Sequence, residues 1–305
     1  MTQKWTSNDM PSLEGQVWVV TGANSGLGLE SSRALALKGA TVVMGCRDPQ
    51  RAQGAADELK KAVPTAKLEL ETLDLASLKS IEAFAARLAT AHPVIDGLIN
   101  NAGVMALPQG KTADGFETQL GTNHFGHFAL TMRLLPSLEK AKAPRVVTVS
   151  SNMHKGGDLR FDDLMLEKSY SSWGAYGNSK LANLLFAYEL ARKLQAAGKK
   201  TLSLAAHPGY ASTSLQGKTG SKIQTFFMDI GNAILAQPAA MGALPQLYAA
   251  TASDVQSGQY FGPAGFMEMK GPPRRVDSND RSKDTAAAAE LWKISEKLTG
   301  LTFPA

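Results

Sequence analysis

Tyr176 and Lys180 lie four residues apart in Tyr176-Gly177-Asn178-Ser179-Lys180, with Ser151 upstream. That spacing is about one helical turn, so the phenol and the ammonium share one face of a helix. A free phenol has a pKa of about 10 and is a poor acid–base catalyst near neutrality. A fixed positive charge beside it favours the phenolate, so Lys180 is expected to lower that value. A second unit lies near the N-terminus, in Thr21-Gly22-Ala23-Asn24-Ser25-Gly26-Leu27-Gly28. The glycines let the backbone approach a pyrophosphate. A helix starting near Leu27 supplies amide donors and a partial positive charge. Its glycine spacing differs from G-x-G-x-x-G, but the physics is shared. Gly22, Asn24, Ser25, Gly26, Leu27 and Gly28 are therefore cofactor candidates. One unit would hold a hydride carrier and the other would move a proton.

The end of the second strand should select between the two nicotinamide cofactors. An acid about 20 residues past the turn suits the ribose hydroxyls of NAD, whereas an arginine suits a 2′-phosphate. This chain has Cys46-Arg47-Asp48 there. Arg47 is assigned to the phosphate of NADP(H), with Arg51 one turn on as its assistant. Asp48 is read as a helix N-cap.

These residues need elements to position them, and the chain alternates accordingly. Strands are expected over Gln16–Thr21, Thr41–Cys46, Lys67–Leu73, Val94–Ile99, Arg145–Val149 and Thr201–Ala206. Helices are expected over Leu27–Lys38, from Asp48-Pro49 onward, and over Ser77–Ala91, Asp114–Lys140, Trp173–Ala197 and Asp284–Leu298. The rhythm predicts an α/β, Rossmann-type, doubly wound parallel sheet of about seven strands with helices on both faces. The chemical motifs all follow strands, at the carboxyl edge where such sheets bind ligands. A single domain over 1–305 fits the length. Its core is expected at about 15–262, a small helical substrate lid at about 210–237, and a C-terminal extension at 263–305 that opens with an irregular glycine- and proline-rich stretch, Pro263–Pro273.

Composition narrows the class. The chain has 305 residues, 44% of them hydrophobic, a net charge of +5 and one cysteine, Cys46. One cysteine excludes an intrachain disulfide framework and suits a reducing compartment. The polar N-terminus does not resemble a signal peptide, and no apolar run reaches the ~18 residues of a membrane span. A cytoplasmic protein with no integral membrane segment is expected. Lysine and arginine are dispersed rather than blocked, which argues against nucleic acid as partner. A homo-oligomer is left open.

Together the motifs resemble a known family. Thr-Gly-x-x-x-Gly-x-Gly, Asn100-Asn101-Ala102-Gly103, Asn123, Ser151, Tyr176-x-x-x-Lys180 and Pro208-Gly209 look like the short-chain dehydrogenase/reductases. Cys46-Arg47, Thr122-Asn123-His124-Phe125-Gly126-His127-Phe128 and the long gap between Ser151 and Tyr176 resemble its retinol-dehydrogenase-like and WW-domain-oxidoreductase-like branch, without a WW domain. The resemblance implies that Tyr176 exchanges a proton with a carbonyl or alcohol substrate and that Lys180 tunes it while holding the nicotinamide ribose. Ser151 would bond the substrate oxygen, with Ser150 the alternative. Asn123 would help fix a water leading to Lys180, or else stabilise the sheet from within. By the same carry-over, Asp74 and Leu75 contact adenine, and Asn100, Ala102 and Gly103 line the adenosine side. Pro208 and Gly209 shape the turn at the carboxamide, and Thr213 bonds phosphate or carboxamide.

Other features are less specific. His124, His127, His154 and His207 lie on separate elements, so no metal is expected. Cys46 reads as inert packing. Ile223, Phe226, Phe227, Met228, Ile230, Ile234 and Leu235 recur at helical spacing, as core or as an apolar lid. Asn152–Ser172 reads either as a flap over the substrate or as a surface excursion packed by Phe161, Leu164, Met165 and Leu166. Two further functions stay open beside a lipophilic carbonyl/alcohol oxidoreductase. One is a carbon–carbon double-bond reductase of the protochlorophyllide type, and the other is a non-catalytic NADP(H) sensor.

Overall fold

A computed structural model describes residues 4–210 and 237–304. The expected lid, with Phe226, Phe227 and Met228, and the candidate Thr213 lie outside the described residues.

Eight strands form one sheet in the order β3-β2-β1-β4-β5-β6-β7-β8. They are β1 (Val17–Thr21), β2 (Thr41–Cys46), β3 (Lys67–Thr72), β4 (Gly97–Asn100), β5 (Arg145–Val149), β6 (Leu202–Ala206), β7 (Tyr260–Pro263) and β8 (Pro273–Val276). Pairing is parallel throughout except for β7 with β8. The inner strands are apolar along nearly their whole length because helices cover both faces. β3, at an edge, alternates half-buried and exposed positions instead.

One face carries α1 (Gly26–Leu37), α2 (Pro49–Ala62) and α7 (Ala239–Thr251), which share a core with Trp18 and Val20 of β1 and Val42 and Met44 of β2. The other carries α3 (Leu78–Ala91), α5 (Gly126–Leu138) and α6 (Ser172–Ala196). On α6 lies the closing helix α8 (Thr285–Thr299), through Trp292 stacked on Phe186. The order reverses between β1 and β4, which opens a crevice at their carboxyl ends.

Three expectations change. The helix expected over Asp114–Lys140 starts later, at α4 (Thr118–Leu120), widens into a π-turn over Gly121–Phe125 and continues as α5. Asp114 instead accepts a hydrogen bond from the backbone N–H of Leu78, closing the start of α3. The segment 152–172 packs outward: Leu164 is buried with Phe116, Phe125, Leu181 and Leu185, and Phe161 and Met165 pack against them. Of the two readings open for this segment, that packing supports the surface excursion. Finally, the expected irregular extension contributes a strand. Pro263 and Pro273 face each other at the end of the β7–β8 ladder, a place where a missing N–H is tolerated.

Candidate active site

α6 begins where expected, capped by the Ser171 hydroxyl, which accepts from the N–H of Gly174. One turn in, Tyr176 and Lys180 face the carboxyl end of β5, and both are nearly sealed from solvent at 7% and 4% exposure. Ser151, two residues past the end of that strand, is the side chain that pulls on the Tyr176 phenol. Ser150 points elsewhere, donating to the carbonyl of Lys180 at 2.8 Å. The two serines thus separate, with Ser151 facing the phenol and Ser150 tying α6 to the strand.

Burial dominates the titration of this pair. It pushes the Tyr176 phenol up to about 12, against a smaller opposing pull from Ser151. It brings the Lys180 ammonium down to about 8. The expected lowering of the phenol by Lys180 does not follow, because the ammonium lies 5.6 Å from the ring centroid and donates to the Val149 carbonyl at 3.1 Å. Near pH 7 the phenol therefore keeps its proton and the ammonium keeps its charge.

Asn123 sits in the π-turn, wholly buried. Its carboxamide accepts from the N–H of Val104 at 2.8 Å and donates to the Val104 carbonyl and to Ser179 Oγ, each at 2.9 Å. It thereby ties the strand-end loop after β4 to α6, one residue before Lys180. A Cβ on Gly103 would lie 3.1 Å from Asn123 Oδ1 and 3.7 Å from Lys180 Nζ, so the three converge. The Asn123 carbonyl accepts from His127 Nδ1, whose other ring nitrogen meets Thr21 Oγ1.

From Gly103 and Val104, which adjoin this cluster, a cleft runs along the crevice toward β2. It is lined by Gly22, Asn24, Ser25, Gly26 and Leu27 of the turn, by Asp74 and Leu75 after β3, by Ala102 and Gly103 after β4, and by Arg47 and Arg51. A side chain on Gly28 would put its Cβ 2.3 Å from the Gly22 carbonyl oxygen, so the turn closes only around glycine. Ser25 at the N-cap of α1 makes no side-chain cap bond to the helix, whereas Asp48, Ser77 and Asp284 cap α2, α3 and α8. The first-turn amides of α1 therefore face the cleft as anion donors. Asp48 Oδ1 accepts from the N–H groups of Gln50 and Arg51, as its N-cap role requires. Arg47 and Arg51 are exposed and form no ion pair with any described residue. The cradle, open helix end and two guanidiniums together fit a phosphorylated dinucleotide.

Not every candidate reaches the cleft. Asn100 points into the core and donates to Thr131 Oγ1 at 3.0 Å, and Asn101 lines the cleft in its place. Asn101 is held by Thr21 and by Gln246 of α7, a helix whose pattern had given no signal. Val104, Met105 and Thr122 also line the cleft; nothing in their types marks them. Pro208 and Gly209 follow β6 beside the catalytic end, and the Pro208 carbonyl accepts from Gln237. The histidines serve packing: His124 meets Ser295, His154 meets the Ser151 carbonyl and His207 meets Glu268. Cys46 is buried, and burial pushes its thiol up to about 11 against a smaller pull from the backbone of Ala23 and Asn24. It is an inert prop for the turn.

The short chain dehydrogenase family model matches residues 16–224. Retinol dehydrogenase 12 of Mus musculus is 39% identical over 293 residues, covering 95% of this chain and 88% of its own. Retinol dehydrogenase 14 of Homo sapiens is 39% identical over 306 residues with the same coverage. A crystal structure of an uncharacterized protein from Mycobacterium Paratuberculosis superposes with a TM-score of 0.83 at 42% identity, covering 99% of this chain and all of that one. An oxidoreductase from E. coli shares the fold at a TM-score of 0.64 and 22% identity, over 85% of this chain and 98% of its own. The chain belongs to the short-chain dehydrogenase/reductase family, in its retinol-dehydrogenase-like branch.

Proposed function

We propose that the protein is an NADP(H)-dependent oxidoreductase that interconverts a carbonyl and an alcohol on a lipophilic small molecule. The observation that carries this reading is the grouping of Ser151, Tyr176 and Lys180 beside Gly103, a residue that lines a cleft also lined by Arg47 and Arg51. The names of the similar retinol dehydrogenases point to a lipophilic alcohol.

When bound, the nicotinamide supplies or accepts the hydride. Gly22, Asn24, Ser25, Gly26, Leu27 and Gly28 hold the pyrophosphate, and Arg47 with Arg51 holds the 2′-phosphate. Asp74 and Leu75 flank the adenine, and Ala102 and Gly103 line the adenosine side; Asn100 supports that segment from below. Pro208 and Gly209 shape the carboxamide turn. In reduction, Ser151 hydrogen-bonds the substrate carbonyl oxygen, and Tyr176 gives that oxygen its phenolic proton as hydride reaches the carbon. In oxidation the phenolate takes the alcohol proton. Lys180 holds the ribose hydroxyls and supplies positive charge beside the phenol. Asn123 fixes the loop and helix that carry these groups. With its phenol pushed up to about 12 by burial, Tyr176 holds its proton at neutral pH, the form that reduction uses.

Screening hydrophobic aldehydes, ketones and secondary alcohols for NADPH consumption or formation tests this reading. Turnover of lipophilic carbonyls with NADPH is expected. Turnover confined to small polar sugars or acids, or to activated carbon–carbon double bonds, would overturn it.

A further inference from the structure

β7 runs parallel to β6, so the chain leaves β7 at the same carboxyl edge that carries the catalytic groups. It returns as β8 through the hairpin loop 264–272. That loop bridges two loops of the site. The Met267 carbonyl accepts from Asn152, the residue after Ser151, at 3.5 Å. The Met269 carbonyl accepts from the N–H of Tyr210, just past Pro208-Gly209. Glu268 turns inward to the ring of His207, fully buried, at 3.1 Å. Its neighbours go the other way. Phe266 and Met267 are 84% and 70% exposed, the most exposed large hydrophobic side chains among the described residues. Met153, on the turn after Ser151, adds a third partly exposed apolar group on the same rim.

The backbone is bent to achieve this. Met267 and Glu268 adopt φ values of 49° and 57°, consecutive left-handed conformations in residues that disfavour them. Gly265 and Lys270 close the loop through a backbone bond at 2.8 Å, and the Glu268–His207 contact anchors its centre. A strained loop, pinned by an inward carboxylate and bonded through its backbone to the residue after Ser151, holds two apolar side chains in solvent.

We infer that Phe266 and Met267, on the β7–β8 hairpin loop, form the outer wall of the substrate site and grip the hydrocarbon part of the substrate. This rests on the carbonyl/alcohol reading above and adds the residues that select for chain length. Asn152 and Met153 follow Ser151 directly, and this loop is bonded to Asn152. Apolar groups there reward each added methylene with burial.

The test is NADPH-dependent reduction of straight-chain aldehydes from propanal to decanal, at submicellar concentrations, by wild type and by F266S/M267S. In the wild type kcat/KM should climb along the series, by up to about fourfold per methylene. In the double variant the climb should flatten, with decanal losing at least about tenfold and propanal staying within about twofold. F266L should restore most of the climb. Both side chains stand in solvent, so the melting temperature should be unchanged. A wild type with no chain-length dependence would overturn both this inference and the lipophilic reading. A climb that survives intact in the double variant would overturn this inference alone. So would a variant whose only defect is weaker binding to phosphatidylcholine vesicles, which would make the loop a membrane contact.

Discussion

Lys180, behind the Gly103 end of the cleft, and Arg47, on its wall, bring positive charge there from opposite environments. Lys180 is buried, bonded to a backbone carbonyl, and has its ammonium brought down to about 8. Arg47 stands in water at the tip of β2, with no carboxylate among the described residues to pair with it. Burial makes a charge adjustable, so the inner end can move protons. Exposure leaves a charge permanent and free to accept an anion, so the outer end can select one. Reversing these environments would disable both ends. A solvated phenol–lysine pair would titrate as free side chains do, and a buried unpaired guanidinium would destabilise the fold.

The largest effect should come from the inner end. Tyr176→Phe removes only the hydroxyl, so fold and cofactor binding are expected to persist while turnover falls by about 10²–10⁴-fold. Steady-state rates beside NADPH titration by fluorescence would check this. Near-wild-type turnover in a folded, cofactor-bound variant would move the proton source elsewhere.

Arg47→Ala probes the outer end. A hydrogen bond to a charged group contributes roughly 1.5–3 kcal/mol, so NADPH affinity should drop about 10- to 150-fold with little change for NADH. Equal losses for the two cofactors, measured by calorimetry, would remove the phosphate assignment.

The smallest effect sharpens the contrast through pH. In the free protein the group near pH 8 is the Lys180 ammonium, while the phenol stays protonated to about 12. Reduction needs both protonated, so its kcat/KM should fall as pH rises through about 8, at most tenfold per unit. Lys180→Arg keeps its charge and should move that step out of range, which pH–rate profiles would reveal. The same shift affects stability. Between about 8 and its ordinary 10.5, the unfolded lysine holds a proton that the folded one has released. Its contribution to stability therefore rises with pH across that window.

The legible parts of the sequence were those governed by local rules. The apolar strands, the Asp48 cap, the glycine turn and the i,i+4 spacing on α6 depend on neighbours within a few residues, and they stand where expected. What escaped depends on distant contacts. The π-turn at Asn123 is set by the bonds of its carboxamide to Val104 and Ser179, far away in sequence. Asn100 and Asn101 are the same residue type, and only Thr131 and Thr21 decide which enters the core. The loop 264–272 reads as irregular because its order comes from His207 and Asn152. The spacing of Tyr176 and Lys180 was visible, but the degree of burial that overrides their attraction was not.

If this cleft passes hydride to a carbonyl carbon while Tyr176 supplies the proton, isotope transfer will show it most directly. NADPH deuterated at the transferable C4 position would be mixed with the best lipophilic carbonyl from the substrate screen, and the product followed by NMR. Deuterium should appear on the new carbinol carbon with the wild type and be almost completely lost with Tyr176→Phe. Deuterium on a saturated carbon remote from oxygen would contradict this and make the protein a double-bond reductase. No transfer to any carbonyl, with NADPH tightly bound, would make it a sensor.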